Sequence, residues 1–287
     1  MIYLSWSLYA AVWLAVALVF LFVAKKLFDL LTPYSLEVQL TEKDNPAVGL
    51  VLGGFLLGVA AVVCGTFAGE SGEVSVAGFA ADIGWVAIYV VIGMVLLFFA
   101  GIVNDKLVLH RFQNQHEVVE ERNMGVAAIV AATYLGSGLI VGGGISGSFS
   151  LTTAILPFIA GQIALVLFAH LYQILTKHDD LKEIGENKNV AAGVAYAGNI
   201  LAYSIILMKG VSMGGEGIEM RIDRLWHFLY YAVAGSILLS VVRMVADRVF
   251  LPKARLHDEI VEDRNLGAGF IEAGLALATA AVLGFCL

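Results

Sequence analysis

The stretch that decides the fold is Thr41-Glu-Lys-Asp-Asn45-Pro-Ala-Val-Gly49, in which a Glu-x-x-Asn motif stands directly ahead of an apolar segment. The motif recurs three more times, again ahead of apolar segments: Glu120-Glu-Arg-Asn123, Glu186-Asn-Lys-Asn189 and Glu262-Asp-Arg-Asn265. The four asparagines are 78, 66 and 76 residues apart, so the first and third differ by 144 residues and the second and fourth by 142. This spacing predicts two similar halves, each made of two helical hairpins.

The amino-acid composition indicates whether this chain folds in water or in a lipid bilayer. Its 287 residues are 60% hydrophobic and 14% charged, with a mean hydropathy of +0.86. A soluble domain is about 45–50% apolar and about 25% charged, so the polar groups here are too few to cover a globule in water. We therefore expect an integral membrane protein whose first partner is the lipid bilayer. A nucleic-acid partner is not expected, because 17 basic against 24 acidic residues give a net charge of −7.

Eight apolar stretches are long enough to cross the hydrocarbon layer, which requires about 20 residues per helix. They cover residues 5–31, 46–67, 79–104, 124–144, 150–176, 190–210, 226–250 and 266–286. The sequence thus predicts an all-α integral membrane protein with eight transmembrane helices, arranged as four hairpins that repeat in parallel orientation. We assign residues 1–144 to a first domain and residues 145–287 to a second. Four hairpins around an axis could enclose a pore or form a solid bundle, and the sequence does not decide between them.

Basic residues predict the orientation. The loops and helix ends on the motif side hold 14 of the 17 basic residues: Lys25, Lys26, Lys43, Lys106, Arg111, Arg122, Lys177, Lys182, Lys188, Arg243, Arg248, Lys253, Arg255 and Arg264. The opposite side keeps only Lys209, Arg221 and Arg224. By the positive-inside rule the motif side faces the cytoplasm and both termini lie outside it.

The four motifs, each followed by a helix rich in small residues, resemble the YjfL family of bacterial inner-membrane proteins, a domain of unknown function. The resemblance covers nearly the whole chain as two tandem domains. It implies a location in the bacterial inner membrane and an association with envelope-stress and polyamine-related gene neighbourhoods. It implies no catalytic or binding residue.

The asparagines Asn45, Asn123, Asn189 and Asn265 have two interpretations. Asparagine is favoured just before a helix because its side-chain oxygen accepts hydrogen bonds from amides of the first turn. Pro46 suits the first helical position. Alternatively, four positive helix ends converge on an anion or a lipid headgroup. Asp44 stands where the other motifs have Arg or Lys, which weakens a symmetric anion site.

The motif glutamates Glu42, Glu120, Glu186 and Glu262 also have two interpretations. Each could pair with a neighbouring Arg or Lys and favour the following helix N-terminus. Alternatively, the four carboxylates form a ring on the cytoplasmic side that concentrates cations.

Small residues recur four, nine and 13 positions after each asparagine: Gly49, Gly54, Gly58; Ala127, Ala132, Gly136; Gly193, Gly198, Ala202; Gly269, Gly274, Ala278. We interpret these residues as one face of each helix. Small residues on one face allow helix backbones to approach closely in a membrane, so we expect tight packing of the four helices that follow the motifs.

Glu272 is the one carboxylate placed clearly inside a predicted span, seven residues after Asn265. A lone carboxylate at that depth must be protonated, paired or in contact with water. Arg243 is its natural partner, and Asn199 beside it would support a polar pathway. Leu52, Val130 and Tyr196 occupy the equivalent place in the other repeats. The three polar residues are therefore candidates for a structural pair or for an ion relay.

No motif indicates a cofactor or a metal. His116 with Glu120, and His257 with Glu259, lack further converging ligands. Cys64 and Cys286 are too few for a zinc site or a disulfide framework, and a bond between them is left open.

Two functions remain open. The first is a non-catalytic membrane component that senses bilayer stress or binds a cytoplasmic protein, either as one chain or as a homo-oligomer. The second is a channel or transporter for an ion or a small charged solute. An enzyme is not expected, because no nucleophile with a base is evident.

Overall fold

The computed structural model describes residues 2–68, 76–146, 151–176, 178–212, 218–251 and 254–286. These residues form ten α-helices: α1 (Ile2–Leu31), α2 (Pro46–Phe67), α3 (Val76–Val103), α4 (Asn114–Val119), α5 (Met124–Ile145), α6 (Leu151–Leu175), α7 (Val190–Val211), α8 (Ile218–Val249), α9 (Leu256–Val261) and α10 (Leu266–Cys286). Three π-helical turns lie between them, at Val38–Glu42, Asn104–Val108 and Lys182–Glu186.

Eight helices are long and apolar enough to cross a membrane: α1, α2, α3, α5, α6, α7, α8 and α10. The prediction of eight spans is confirmed. The largest difference is at α8, which begins at Ile218 rather than at residue 226. A helix need not begin where its apolar stretch begins, and Glu219, Met220 and Arg221 all have high helix propensity.

The four helices that follow the motifs, α2, α5, α7 and α10, form a row, and we call them the motif helices. Helix α2 packs on α5, α5 on α7 and α7 on α10, and these are the most extensive helix contacts among the described residues. Helix α10 makes no comparable contact with α2, so the row is open at both ends. The arrangement around an axis that the sequence suggested is therefore wrong.

The helices α1, α3, α6 and α8 form a second layer over the row. Each packs on the motif helix of its own repeat, and α3, α6 and α8 also pack on the motif helix of the preceding repeat. We call the end of the motif helices that carries the four asparagines the motif side, and the other end the far side. The result is two layers of helices without a central axis.

The small residues lie on two faces of each motif helix rather than on one, which corrects the prediction. Gly54 of α2 lies against Ala131 of the next motif helix, whereas Gly269 of α10 lies against Ala191 of the preceding one. The step from the fourth to the ninth position after an asparagine turns the helix by about 140° at 3.6 residues per turn. An inner helix therefore presents small residues to both of its neighbours.

The small residues allow the backbones of neighbouring motif helices to approach closely. A Cβ at Gly138 would overlap the carbonyl of Gly58, and a Cβ at Gly193 would overlap the backbone of Gly125. Interfaces of this kind stabilise membrane helix pairs through van der Waals contact, because lipid offers no hydrophobic driving force between helices.

We expect Gly138→Ala and Gly84→Ala to change stability in opposite directions. Alanine at the exposed Gly84, where a Cβ meets no atom within 4 Å, raises stability by up to about 1 kcal/mol through helix propensity. Alanine at Gly138 forces two backbones apart and lowers stability by about 1–3 kcal/mol. Thermal unfolding of the purified protein in detergent measures both. Equal effects at the two positions would contradict the packing described here.

Candidate functional site

Each motif asparagine joins the end of one helical turn to the start of a motif helix. Its side-chain oxygen accepts from a first-turn amide at 3.0–3.1 Å: Asn45 from Ala47, Asn123 from Gly125, Asn189 from Ala192 and Asn265 from Gly267. Its backbone N–H donates to the carbonyl six residues earlier at 2.8–2.9 Å. The preceding residue has a left-handed φ of 48–51°: Asp44, Arg122, Lys188 and Arg264. We call this arrangement the capping joint, because it ends one turn and starts the next helix.

The asparagine side chains also connect each repeat to the next. Asn45 Nδ2 donates to the carbonyls of Val118 and Val119, both at 3.1 Å. In the same way Asn123 donates to Ile184 and Asn189 to Ile260, each at 2.8 Å. These three asparagines are at most 2% exposed. Asn265, in the last repeat, is exposed and has no such carbonyl among the described residues.

The motif glutamates do not take part in the joint. Glu42, Glu120, Glu186 and Glu262 are all exposed, and within the described ranges no hydrogen bond or ion pair involves their side chains. The pairing expected from the sequence is therefore not seen, and a row of motifs does not form a ring of carboxylates. The side chain that accepts from Asn Nδ2 stands six residues before it instead: Gln39, Glu117, Glu183 and Glu259. This position also repeats fourfold, which is the sequence signal that could have identified it.

Two exposed ion pairs connect the second and third repeats on the motif side. Lys188 donates to Glu121, and this hydrogen bond lowers the pKa of Glu121 and raises the pKa of Lys188. Arg111 donates to Asp179, which lowers the pKa of Asp179. Exposed pairs of this kind add little to stability, so these two contacts are not what holds the second and third repeats together.

A second polar site lies inside the helix layers, where α6, α7, α8 and α10 meet. Arg243 Nε on α8 donates to Glu272 Oε1 on α10 at 2.6 Å. Tyr172 Oη on α6 donates to the same oxygen at 2.8 Å, and Asn199 Nδ2 on α7 lies 3.3 Å from it. The Arg243 guanidinium stacks 4.1 Å from the centre of the Tyr172 ring. The structure thus brings together all three polar candidates and adds Tyr172.

The pair leaves bonding capacity unused. Glu272 is 5% exposed, and within the described residues its Oε2 and the two Nη atoms of Arg243 make no hydrogen bond. Both residues line a cavity of about 270 Å³ that lies between α6 and α8. The cavity runs toward the motif side, and its other polar lining residues are Thr176, Ser240, Asp247, Arg248 and His257.

A histidine cluster lies beside this cavity on the motif side. His178 Nε2 lies 2.9 Å from Asp180 Oδ1, and the rings of His178 and His257 are 4.7 Å apart. Asp180 is 2% exposed and accepts from Thr176. Burial is the main cause that lowers the pKa of His257, and the nearby His178 lowers it further, so the neutral form of His257 is favoured.

The chain matches a Domain of Unknown Function (DUF350) twice, over residues 3–145 and over residues 148–287. The chain belongs to this DUF350 family. The resemblance to a doubled membrane domain of unknown function is confirmed, while the boundary at residues 144 and 145 stays a prediction.

A UPF0719 transmembrane protein of Aquifex aeolicus (strain VF5) is 28% identical to the chain over 133 residues. The match covers 46% of this chain and 47% of that protein, so it spans about half the length of the relative. No solved structure matches the chain.

The two DUF350 domains differ at the polar site. Glu272 and its partners all belong to the second domain, and Leu52, Val130 and Tyr196 replace the carboxylate elsewhere. Sequence reasoning missed Tyr172 and Asp180. Both lie on α6 or just after it, with Thr176 between them at intervals of four residues. Helix α6 ends at Leu175, so the intervals of four residues do not place all three on one helix face, and no sequence signal marked Asp180.

We expect Asn123→Ala to lower stability more than Asn265→Ala. The buried Asn123 loses its cap and leaves the Ile184 carbonyl unpaired, which together lower stability by about 2–4 kcal/mol. The exposed Asn265 loses only a cap, at about 1 kcal/mol. Thermal unfolding in detergent compares the two, with Glu120→Gln as a control that leaves the melting temperature unchanged. A large effect of Glu120→Gln would restore a role for the motif glutamates.

Proposed function

We propose that the protein is a non-catalytic membrane component that binds a small zwitterionic ligand at Arg243 and Glu272. The observation that carries this proposal is that Arg243 and Glu272 line one cavity, with no hydrogen-bond partner among the described residues for the Nη atoms of Arg243 or for Oε2 of Glu272. The Nη atoms supply donors for a phosphate or carboxylate, and Oε2 supplies an acceptor for an ammonium group.

The energetics of a buried ion pair support a role beyond folding. Placing both charges in a low-dielectric interior costs several kcal/mol per ion, and apolar residues of similar size often serve stability equally well. The other three repeats have Leu52, Val130 and Tyr196 in place of Glu272, so the repeated scaffold does not require a charge there. An intramembrane ionisable residue is by default a candidate for function.

The balance of charge around the cavity supports a zwitterion over a simple ion. Arg243 and Arg248 are matched by Glu272 and Asp247 on the lining, so neither a bare cation nor a bare anion is favoured. Phosphoethanolamine has the required phosphate and ammonium groups, and it occurs both as a soluble molecule and as a lipid headgroup.

The packing beyond the site gives the channel or transporter alternative less support. Toward the far side, Ala273, Ala276 and Ala280 continue the buried face of α10. Ser204 and Tyr203 on α7 donate to backbone carbonyls rather than to one another. Gln162 on α6 donates to Ser137 on α5. None of these bonded polar side chains lines the described cavity, so the cavity is polar toward the motif side only.

Location and partners belong to the same proposal. We place the chain in the bacterial inner membrane with the motif side in the cytoplasm, because that side holds 14 of the 17 basic residues. The exposed carboxylates of Glu42, Glu120, Glu186 and Glu262 are free for a cytoplasmic protein partner.

The ligand is tested with single and double variants of the pair. Glu272→Leu or Arg243→Leu alone leaves one charge unpaired and lowers stability by about 3–5 kcal/mol, whereas the double variant regains most of that loss. The double variant is the matched control, because it keeps the fold and removes both binding groups. Wild-type protein is stabilised by up to about 2.7 kcal/mol when the ligand is at 100 times its Kd.

Two arms of that experiment distinguish the source of the ligand. In one, soluble phosphoethanolamine is added to protein in detergent. In the other, nanodiscs of phosphatidylethanolamine are compared with nanodiscs of phosphatidylglycerol. A rise in melting temperature for the wild type but not for the double variant supports the proposal in either arm. Identical behaviour of the two proteins in both arms would refute it.

We expect no flux through the protein. Reconstituted vesicles should pass protons, alkali cations, anions and polyamines no faster than empty vesicles, because the far side of the site is closed by apolar packing. A channel or transporter would instead be established by flux above that background in the wild type, with a different pH dependence in Glu272→Gln.

A further inference from the structure

The interface between neighbouring motif helices is built the same way three times. One helix contributes a leading face, defined as the second, ninth and 13th residues after its asparagine. The next helix contributes a trailing face, defined as the fourth, eighth and 15th residues after its own asparagine. Gly54 thus meets Ala131, Gly198 meets Ala273, and Gly136 meets Ser204. Each interface also has an Asn Nδ2 donating to the carbonyl five residues before the next asparagine.

Helix α10 repeats the leading face but has nothing packed against it. Gly267, Gly274 and Ala278 are all exposed, although the equivalent residues of α2, α5 and α7 are all buried. A Cβ at Gly274 would meet no atom within 4 Å. Asn265 is the one asparagine of the four that lacks a carbonyl of a following repeat in the described structure.

Helix α2 presents the complementary surface at the other end of the row. Its trailing face is Gly49, Gly53 and Ala60, and all three are partly exposed, although the equivalent residues of α5, α7 and α10 are buried. A Cβ at Gly53 also meets no atom within 4 Å. Helix α1 beside it is also less buried than the other second-layer helices: 11% of its most apolar stretch is buried, against 39% for α3, 44% for α6 and 28% for α8. It lacks the preceding motif helix on which α3, α6 and α8 pack.

We infer that a second copy of this chain docks its α2 trailing face on the α10 leading face, which continues the row across the two copies. The occupant is a second copy because the three interfaces inside the chain already define what fits a leading face, and α2 carries the one trailing face left open in the described structure. Gly274 then faces Gly53, and Asn265 Nδ2 meets the carbonyl of Leu40, the residue five before Asn45. The contact is head-to-tail, so each dimer keeps one open face of each kind and further copies add to it.

We call the proposed interface between α10 of one copy and α2 of the next the junction, and one charge contact there weakens it. Glu121 and Lys188 pair between the second and third repeats, and the equivalent positions at the junction are Asp263 and Asp44. Two carboxylates therefore face each other where an ion pair is found inside the chain. The like charges weaken the association, and a lysine at residue 44 would turn the repulsion into an attraction.

The native cysteines provide the test. Gly65 of α2 packs on Gly142 of α5 near the far side, and the equivalent residues at the junction are Phe285 and Cys64. Cys64 and Cys286 are both free and exposed, and they lie in helices at opposite ends of the row. A short bis-maleimide applied to membranes that contain the full chain should therefore yield dimers and a ladder of higher oligomers.

Two differently tagged single-cysteine chains decide the geometry. Neither Cys64→Ser nor Cys286→Ser alone should crosslink, but a mixture should yield a dimer of one chain of each kind. Crosslinking of either variant with itself would indicate a symmetric interface and overturn the proposal. So would a chain that remains monomeric, or a crosslink to a protein of different mass.

Packing variants separate the interface from the fold. Gly274→Leu or Gly53→Leu should reduce the crosslinked fraction about tenfold, because small residues allow the close approach, while the melting temperature stays unchanged. Gly84→Leu, at an exposed glycine outside the row, should reduce neither the crosslinked fraction nor the melting temperature. Asp44→Lys should raise the crosslinked fraction about twofold, as expected for an exposed ion pair. A ladder that survives both Gly274→Leu and Gly53→Leu would refute the inference.

Discussion

The fold depends on the distance at which the backbones of the motif helices can pass one another. Lipid is as apolar as the helix surfaces, so burial alone does not hold transmembrane helices together. What holds them here is contact between backbones at Gly54, Gly138 and Gly193, where a single added carbon would overlap a neighbouring chain segment. Each capping joint then sets the height at which its helix starts, and the asparagine side chain fixes that height relative to the next repeat.

The polar site occupies one of four equivalent positions in this scaffold, and the other three carry no charge. Tyr172, Asn199, Arg243 and Glu272 lie within hydrogen-bonding distance because the two layers bring α6 and α8 together with α7 and α10 at one level. The same level in the other repeats carries Leu, Val or Tyr and packs without a charge. Duplication thus supplied four equivalent positions, and one of them departs from the pattern at an energetic cost that stable packing does not require.

The eight spans could be predicted because the length of an apolar run is a property of the sequence alone. The contact of Arg243 with Glu272 was also accessible, since a carboxylate at that depth needs a partner and few cations are near. The row could not be predicted, because small residues on a helix do not reveal whether one or two neighbours use them. The role of Gln39, Glu117, Glu183 and Glu259 was hidden by the nearer and more regular motif glutamates, which the structure leaves in solvent. Tyr172 was missed because a tyrosine in an apolar span is not distinguished by its charge.

The left-handed residues of the capping joints have one further consequence. Glycine adopts this conformation freely, whereas other residues there lose roughly 1–2 kcal/mol, yet the four positions are occupied by Asp44, Arg122, Lys188 and Arg264. Three of these residues are basic, and all four are exposed on the motif side. A substitution that relieves the backbone strain at a basic position, such as Arg122→Gly, therefore also removes a positive charge from the motif side.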